Sequence, residues 1–436
     1  MKEKAILPSI TRFRNFLFVI LIACLLVSPM IFWLSMKGEW NENSILEERK
    51  LTVFPPVRWM DMRTAIKRII QGLPNEAGEI FFNQFIVGKF QRKVDKAVAE
   101  QMPLRIPLVE LAKLFERSVV KNAYLMLPDE AYPACLNTDL FITRDEGNLI
   151  RSVVPFTDKE KQAIDSRIAN YAEILRGLPR VNFYVFNIET IEYSPCHPLT
   201  RFFPQADAGS SLQYFLANKS RELRFENYAI SSFEDFRGRF FKTDHHWTIR
   251  GALQAYERVH AMLREGYTDI SPLLEVKEIK VVPGLRYLGS LARTTLYPIE
   301  TDILEYAEID LLQCSTYVNG EADDYGGREH YLQGVYNPEK YFNHYQGFYG
   351  GQHALVHYQF ENDSARNLLM IASSHARMNQ MLIASHFRNT YVVDLRFKNV
   401  QDLSIRKLVN EYAITDVLVM GQPSLSYAAS DESLTP

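Results

Sequence analysis

FFKTDHHWT, residues 240–248, is the stretch from which the rest of this chain is interpreted. It places one carboxylate and two imidazoles, those of Asp244, His245 and His246, between aromatic side chains. The segment that follows, IRGALQAYERVHAML, carries apolar residues at intervals of three and four. This spacing predicts an amphipathic helix that begins after Thr248, a suitable N-cap residue. The histidines are therefore predicted to lie on the loop that enters a helix.

The loop has the residues needed for proton transfer. An imidazole titrates near neutral pH, so His246 can act as a general base if Asp244 fixes its tautomer and a hydroxyl lies nearby. The alternative for this cluster is a pair of histidines that are exposed to solvent or have only a structural role in the core.

A serine follows a predicted buried strand in the last hundred residues. LLMIA at 368–372 and YVVDL at 391–395 predict strands, residues 378–385 have helical spacing between them, and VLVMG at 417–421 predicts a further strand. This alternation indicates a parallel sheet covered by helices, with ligands at the carboxyl ends of its strands. Ser374 stands at such an end and opens a helix, as a nucleophile elbow does. The alternative is a buried, hydrogen-bonded serine.

The same alternation is predicted upstream. Residues 157–160, TDKE, form a capping-box pattern, and the helix that follows is predicted to end at Gly177. A strand is predicted at 181–188, where β-branched and aromatic residues are concentrated. Residues 211–226 are predicted to be helical and residues 228–233 extended.

The segment between residues 276 and 349 is less regular. Residues 285–295 and 304–312 predict a loop and short strands beside the main sheet. Between residues 317 and 349, repeated tyrosines and glycines predict a surface loop. Its rings suit stacking on sugars, and Tyr345 is the substrate-binding candidate in this loop. The alternative is that these rings pack on one another.

Composition sets the broad class. The chain has 436 residues, of which 47% are hydrophobic and 23% charged, which is typical of a globular protein with two or three domains. The formal net charge of −3 gives no basic footprint of the kind that nucleic-acid binding requires, so nucleic-acid partners are excluded.

Residues 16–36 form an uncharged run of 21 residues, long enough to cross a bilayer as a helix. Four basic residues and one acidic residue precede it, whereas acidic residues outnumber basic ones just after it. The positive-inside rule therefore predicts a cytoplasmic N-terminus and an extracytoplasmic remainder. We expect an uncleaved membrane anchor at the cell membrane; a cleaved signal peptide is the alternative.

The cysteines are few. Cys24 lies in the predicted anchor, which leaves Cys135, Cys196 and Cys314 in an oxidising compartment. One disulfide among these three is allowed, with one thiol left over, and the sequence does not select the pair. No metal-type spacing is present, so a structural zinc site is not predicted.

Three segments together resemble the bacterial DHHW proteins, relatives of the SGNH-like alginate O-acetyltransferases of the AlgX and AlgJ type. Residues 244–247 match the D-x-H-W motif of that superfamily. LLMIASSHA at 368–376 matches its strand followed by G-D-S-[YF]-A, and LEERKLTVFPP at 46–56 resembles the start of such ectodomains. VVDLR at 392–396 fits the strand after the nucleophile helix.

The resemblance implies a fold and a site. The fold is α/β, a three-layer αβα domain with a mainly parallel sheet, in which Asp and His precede Ser in sequence, the reverse of the usual SGNH order. Ser374 is implied to be the nucleophile, with Asp244 and His246 catalytic, Trp247 structural and Arg396 substrate-binding. We expect a Ser374 hydroxyl about 2.6–3.2 Å from His246, with Asp244 on the other ring nitrogen. His245 should point elsewhere.

The resemblance also implies O-acetylation of a secreted or cell-surface polysaccharide, with acetyl groups passed across the membrane by a separate polytopic O-acyltransferase. It implies no metal and no bound cofactor. The expected organisation is a cytoplasmic tail, an anchor, a tether with a helical lead-in, an SGNH-like catalytic domain and a C-terminal tail, at residues 1–15, 16–36, 37–150, 151–425 and 426–436.

One departure from the family pattern keeps other functions open. Ala372-Ser373 stands where the family has Gly-Asp, and His375 stands where it has an aromatic residue. The change from glycine predicts a reshaped turn before the nucleophile. A carbohydrate esterase with the same triad and a catalytically silent glycan-binding or assembly subunit are the alternatives. A DHH-type metal phosphoesterase would need further Asp-rich motifs, and we find none in the sequence.

Overall fold

The computed structural model divides the chain into two compact units, Met1–Glu116 and Arg117–Pro436. It describes residues 89–428 except for 103–104, 129–132, 204–205, 266–268, 324–325 and 398–403, and before them residues 19–20, 43–44, 46, 49–52, 67 and 70–71. The predicted anchor at 16–36, apart from Val19 and Ile20, lies outside the described residues. Within the part of the chain that is described, none of the helices is both long and apolar enough to cross a membrane.

The first unit contains a short hairpin and the start of the helical lead-in. Strands β1 (Asn43–Ser44) and β2 (Arg49–Lys50) pair antiparallel, and helix α1 spans Lys89–Gln101. The Arg49 guanidinium and the Thr52 N–H each donate to the Glu100 carboxylate at 2.6 Å. Most of residues 57–88, which belong to the predicted helical lead-in, lie outside the described residues.

The remaining strands, numbered in chain order, are β3 Ala134–Cys135, β4 Leu140–Ile142, β5 Leu149–Arg151, β6 Asn182–Ile188, β7 Arg224–Tyr228, β8 Val276–Val281, β9 Glu305–Ile309, β10 Cys314–Val318, β11 Glu321–Asp323, β12 Leu355–Phe360, β13 Asn367–Ala372, β14 Asn389–Val393 and β15 Asp416–Gly421. The remaining helices are α2 Arg105–Met126, α3 Asp158–Gly177, α4 Ser210–Asn218, α5 Phe233–Arg239, α6 Ile249–Arg264, α7 Ser290–Thr295, α8 Gly326–Leu332, α9 His344–Phe348, α10 Arg377–Ala384, α11 Ile405–Glu411 and α12 Pro423–Ser426.

The second unit is built on an eight-stranded sheet with the order β11-β10-β12-β14-β13-β15-β6-β7. Strands β14, β13, β15, β6 and β7 are parallel to one another, and β12, β10 and β11 continue the sheet antiparallel. The predicted α/β class with a mainly parallel sheet is therefore confirmed. All carboxyl ends of the five parallel strands, including the end of β13 before Ser374, lie at one edge.

Helices cover both faces of the sheet. One apolar cluster contains Met370 and Ala372 with residues of α6 and α10, and the other contains Leu369 and Ile371 with residues of α3 and α11. Successive side chains of a strand point to opposite faces, so β13 contributes to both clusters. Its sequence NLLMIA is nearly all apolar because neither face meets water.

Two predicted elements are displaced in the structure. The helix predicted over 211–226 ends at Asn218, and Arg224–Tyr228 is strand β7 instead. The predicted extended segment at 228–233 is followed at Phe233 by helix α5, capped by the Ser232 side chain. β7 is an edge strand, where charged side chains reach solvent, so its sequence does not look like that of a buried strand.

The segment between 276 and 312 is only partly as predicted. Strands β8 and β9 pair in a separate two-stranded antiparallel sheet, which agrees with the short strand predicted over 304–312. The prediction of a loop and short strands over 285–295 is wrong for its second half, because Ser290–Thr295 is helix α7. Its N-terminus is held by side chains of the loop at 243–244, contacts that are invisible in the local sequence.

The tyrosine-rich segment is folded rather than an open surface loop. It contains helices α8 and α9, and Tyr331 and Tyr345 are buried. Tyr331 stacks on Tyr336 with ring centroids 5.5 Å apart, and Tyr345 contacts Tyr349 at 5.0 Å. The alternative in which the rings pack on one another therefore describes the structure.

The cysteines of the second unit do not pair. Cys135, Cys196 and Cys314 are all free thiols. Cys135 is exposed on β3, Cys314 lies at the start of β10, and Cys196 lies in the loop after β6. The disulfide that the count allowed is therefore absent from the described residues.

Candidate active site

The loop at 240–248 is closed by its own backbone. Phe240 and Trp247 form an antiparallel bridge, and the Phe241 N–H donates to the His246 carbonyl oxygen at 3.1 Å. The side chains of Phe240, Phe241 and Trp247 are buried, which fixes both ends of the loop in the core. The Thr248 hydroxyl accepts from the Gly251 N–H and caps α6, as predicted.

The Asp244 carboxylate accepts four hydrogen bonds. Its Oδ1 accepts from the His246 N–H at 2.9 Å and from His246 Nδ1 at 2.5 Å. Its Oδ2 accepts from the Tyr287 hydroxyl at 2.7 Å and from the Ser290 N–H at 2.5 Å. Burial raises the pKa of the Asp244 carboxyl, but the neighbouring histidines and these hydrogen bonds outweigh it and hold the pKa well below 3.8. The group is therefore a carboxylate at neutral pH.

His246 joins this carboxylate to a serine. Its Nε2 lies 2.8 Å from the Ser374 Oγ, across a sequence separation of 128 residues. An ionised carboxylate can only accept hydrogen bonds, so Nδ1 carries the proton and Nε2 is left to accept from the serine hydroxyl. Burial lowers the pKa of His246 below its usual 6.5, so the ring is neutral at pH 7. The 2.8 Å distance agrees with the expected geometry, and Asp244 lies on the other ring nitrogen as expected.

Ser374 begins a short helical turn directly after β13. Residues Ser374–Ala376 form this turn, and Arg377 starts α10. The first N–H groups of a helical turn have no partner within it, so those of Ser374 and His375 are available to an anion beside the Ser374 hydroxyl. Ser373, before the turn, has an extended backbone with φ −83° and ψ 173°.

The other predicted residues have different surroundings. Trp247 is fully buried and meets the Tyr228 ring edge-on, with centroids 6.0 Å apart. Tyr345 is buried against His246. Arg396 is exposed just beyond the carboxyl end of β14, where its guanidinium pairs with the Asp394 carboxylate.

His245 points away from the serine, as expected. Its Nδ1 lies 2.8 Å from the Ser290 Oγ, and its backbone oxygen is 3.0 Å from His375 Nε2. Burial and the neighbouring His246 lower the pKa of His245 to about 3. The imidazole of His245 is therefore neutral. It lies beside the His246 ring, with centroids 3.9 Å apart, and its side-chain hydrogen bond within the described residues goes to Ser290 rather than to Ser374.

A second loop of the site was not predicted from the sequence. Tyr287 and Ser290 bond to Asp244, and Gly289 packs so closely that a Cβ at this position would lie 2.2 Å from the Asp244 Cβ. Asp302 accepts from the Thr243 N–H at 2.8 Å and from its hydroxyl at 2.5 Å. The one local signal was Gly-Ser before a short helix; nothing in the sequence indicates that it meets the loop at 240–248.

Asp244, His245 and His246 also form a group that could hold a metal ion, since their ligand atoms lie within 4.8 Å of one another. Their geometry favours proton transfer instead. Both oxygens of Asp244 already accept two hydrogen bonds each, and both nitrogens of His246 are engaged. A cation could bind only after these bonds were broken.

No family model matches the sequence, and no curated protein matches it significantly. Solved structures do resemble the chain. Bacillus cereus PatB1 with a sulfonyl adduct has a TM-score of 0.50 and 15% identity, covering 69% of this chain and 99% of that one. A DHHW family protein from Eubacterium siraeum DSM 15702 has a TM-score of 0.48 and 18% identity, covering 66% and 91%.

The O-acetyltransferase domain of Pseudomonas putida AlgJ has a TM-score of 0.37 and 12% identity, covering 69% of this chain and 96% of that domain. The resemblance to DHHW and AlgJ-type proteins expected from the sequence thus reappears among structural neighbours. At 15% identity, the likeness to PatB1 is one of fold.

Proposed function

We propose that this chain is an SGNH-like O-acyltransferase that acts through Ser374, His246 and Asp244. The observation that carries the proposal is the continuous chain of hydrogen bonds from the Ser374 Oγ through both ring nitrogens of His246 to the Asp244 carboxylate, at 2.8 and 2.5 Å. Two loops far apart in sequence must converge to form it. This is the arrangement in which a base activates a hydroxyl nucleophile and a third group orients the base.

In the first half-reaction, His246 Nε2 takes the Ser374 hydroxyl proton while Oγ attacks the carbonyl carbon of an acyl ester. We propose that the N–H groups of Ser374 and His375 stabilise the negative charge that develops on the carbonyl oxygen. The carbon–oxygen bond to the leaving alcohol then breaks, His246 returns the proton to that oxygen, and an acyl-serine remains.

In the second half-reaction, an acceptor hydroxyl loses its proton to His246 and attacks the acyl-serine. The serine–acyl bond breaks and Ser374 recovers the proton. Asp244 stays ionised throughout and stabilises the imidazolium that forms twice per cycle. Only the residues of the triad and the two N–H groups are needed for this chemistry.

The acceptor is proposed to be a hydroxyl of a secreted or cell-surface polysaccharide, with Arg396 as a substrate contact. The O-acetyltransferase domain of AlgJ is a precedent in fold only. The proposal includes an N-terminal membrane anchor, an extracytoplasmic catalytic unit and a polytopic O-acyltransferase partner that supplies acetyl groups.

The burial of the site is relevant to whether the acyl group is transferred to an acceptor hydroxyl or hydrolysed by water. Ser374 and His246 are each only 7% exposed, so bulk water has little access to an acyl group held there. Exclusion of water favours transfer to a bound hydroxyl over release as free acid. We therefore prefer the transferase to an esterase with the same triad.

The test is covalent labelling of the protein. Purified protein is incubated with an activated acetyl ester, and the peptide that contains Ser374 is examined by mass spectrometry. We expect acetyl on Ser374 in the wild type, none in Ser374→Ala, and a rate lowered by about 10³-fold or more in His246→Ala, because members of one triad act as a unit.

His245→Ala is the matched control, because it removes an adjacent imidazole that does not touch Ser374; its acetylation rate should stay within about tenfold of the wild type. Equal ester turnover in the wild type and Ser374→Ala would contradict the proposal. That result would support the silent glycan-binding or assembly subunit.

A further inference from the structure

Tyr345 contacts both partners of the candidate nucleophile pair. Its ring lies parallel to the His246 imidazole, with centroids 4.2 Å apart and planes 13° apart. Its hydroxyl donates to the Ser374 carbonyl oxygen at 3.1 Å. The side chain is only 2% exposed, so these contacts are made inside the protein.

We infer that Tyr345 is a positioning residue that holds the His246 ring and the Ser374 turn in their reactive relation; the inference rests on the proposed function. The hydrogen bonds at Nδ1 and Nε2 fix two points of the imidazole, but the ring can still rock about the line that joins them. A parallel ring against its face opposes that rocking. The Tyr345 hydroxyl bonds to the Ser374 carbonyl oxygen, so the ring that stacks on His246 is also joined to the backbone of the nucleophile.

The surroundings of Tyr345 make it a rigid support. It lies on α9, whose start is capped by the Asn343 side chain. Phe348 on the same helix is buried against Tyr306 and Tyr331, with centroids 5.9 and 6.0 Å away. Tyr345 also contacts Tyr349, with centroids 5.0 Å apart, and Tyr349 meets Phe348 at 4.9 Å. The helix that carries Tyr345 is thus packed by aromatic rings of the protein itself.

This role differs from the substrate contact predicted from the sequence. A substrate-binding ring needs a face or a hydroxyl that a ligand can reach, whereas Tyr345 uses a face on His246 and its hydroxyl on Ser374. Loss of a substrate contact raises KM or weakens acceptor binding. Loss of a positioning contact lowers the reactivity of Ser374 toward any electrophile, including one that has no sugar.

The experiment uses phenylmethanesulfonyl fluoride, a small electrophile that forms a sulfonyl–oxygen bond with a serine and releases fluoride. The second-order rate constant for modification of Ser374 is followed by mass spectrometry in the full chain. Tyr345→Phe keeps the stacked ring and should react about 2–10-fold more slowly, as expected for one lost neutral hydrogen bond. Tyr345→Leu loses ring and hydroxyl and should react about 10²-fold more slowly.

Two further readouts separate positioning from general destabilisation. Tyr336→Leu removes a tyrosine of the same segment that stacks on Tyr331, and its modification rate should equal that of the wild type. In Tyr345→Leu the His246 imidazole becomes more exposed to solvent. The midpoint of the acid limb of the pH–rate profile should therefore move up toward 6.5, the usual pKa of histidine.

The outcomes are distinguishable. An unmodified Ser374 in the wild type overturns the proposed function and this inference with it. Wild-type modification with an equal rate in Tyr345→Leu overturns the inference alone. If Tyr345→Leu does not fold, Tyr345→Phe decides: a loss of at least about twofold supports the inference, and an unchanged rate overturns it.

Discussion

Gly289 offers a test of the site that leaves all three members of the proposed triad in place. Its backbone angles, φ −77° and ψ −176°, are open to any residue, so Gly289→Ala adds no backbone strain. The added methyl group would lie 2.2 Å from Asp244 Cβ and 2.4 Å from its Oδ2. Carbon atoms in contact are separated by about 3.5–4.0 Å, so the two groups must move apart by more than about 1 Å.

That displacement must be taken up by Asp244 or by the loop that carries Gly289. Either movement lengthens the carboxylate bond to His246 and tilts the imidazole relative to Ser374. A misplacement of about 1 Å costs about 10²-fold in rate, which is about 2.7 kcal/mol of transition-state stabilisation. Overpacking should also cost about 1–3 kcal/mol of the free energy of unfolding.

The assay is kcat/KM for hydrolysis of a small acetyl ester, beside urea unfolding of the same preparations. Gly238→Ala is the matched control, since a Cβ at that position on α5 meets nothing within 4 Å. We expect the control to keep its activity and to gain about 0.5–1 kcal/mol of stability from the better helix former. Wild-type kcat/KM and wild-type stability in Gly289→Ala would refute the reasoning.

Other expectations follow from the same geometry. The acid limb of kcat/KM should have its midpoint below pH 6.5, because burial lowers the pKa of His246; a midpoint above 6.5 would contradict this. The free energy of unfolding should fall as the pH is lowered from 6.5 to 4. Burial lowers the pKa of His197 and His386 to about 4 and that of His375 to about 3, whereas these histidines take up protons from about pH 6.5 downward in the unfolded chain. Urea unfolding that shows no such fall would argue against this. Treatment with EDTA should leave ester turnover unchanged, since the carboxylate of the loop already has four hydrogen bonds; activity lost to EDTA and restored by Zn²⁺ would identify a metal centre instead. Ser373→Ala should alter turnover by less than about threefold, because its buried Oγ has no hydrogen-bond partner among the described residues; a tenfold loss would show a role for this hydroxyl.

Features set by neighbours in sequence were predictable. The Thr157 and Thr248 side chains cap their helices as expected, because a capping side chain bonds to N–H groups two or three residues away. β13 was recognisable because burial on both faces leaves an uninterrupted apolar run. The pairing of Ser374 with His246 was accessible only through the resemblance to known motifs.

Features set by distant contacts were not predictable. Tyr287 and Ser290 donate to Asp244 across more than forty residues, and their local sequence has no pattern that anticipates a bond to a carboxylate. The same holds for Tyr345, whose tyrosine-rich segment suggested a surface loop that binds sugars. Its burial comes with contacts to His246 and Ser374, which are distant in sequence and which no local periodicity records.

The departure Ala372-Ser373 from the family's Gly-Asp does not count against a nucleophile at Ser374. Ala372 ends β13 in regular strand geometry, and Ser373 is extended, with φ −83°, so neither position requires glycine. The room for the turn comes from the neighbouring strand instead. A Cβ on Gly421 of β15 would lie 2.9 Å from the Ser373 Oγ and 2.7 Å from Leu425 Cδ2. The glycine that the turn needs is therefore supplied by the adjacent strand, and Ser374 keeps its 2.8 Å contact with His246.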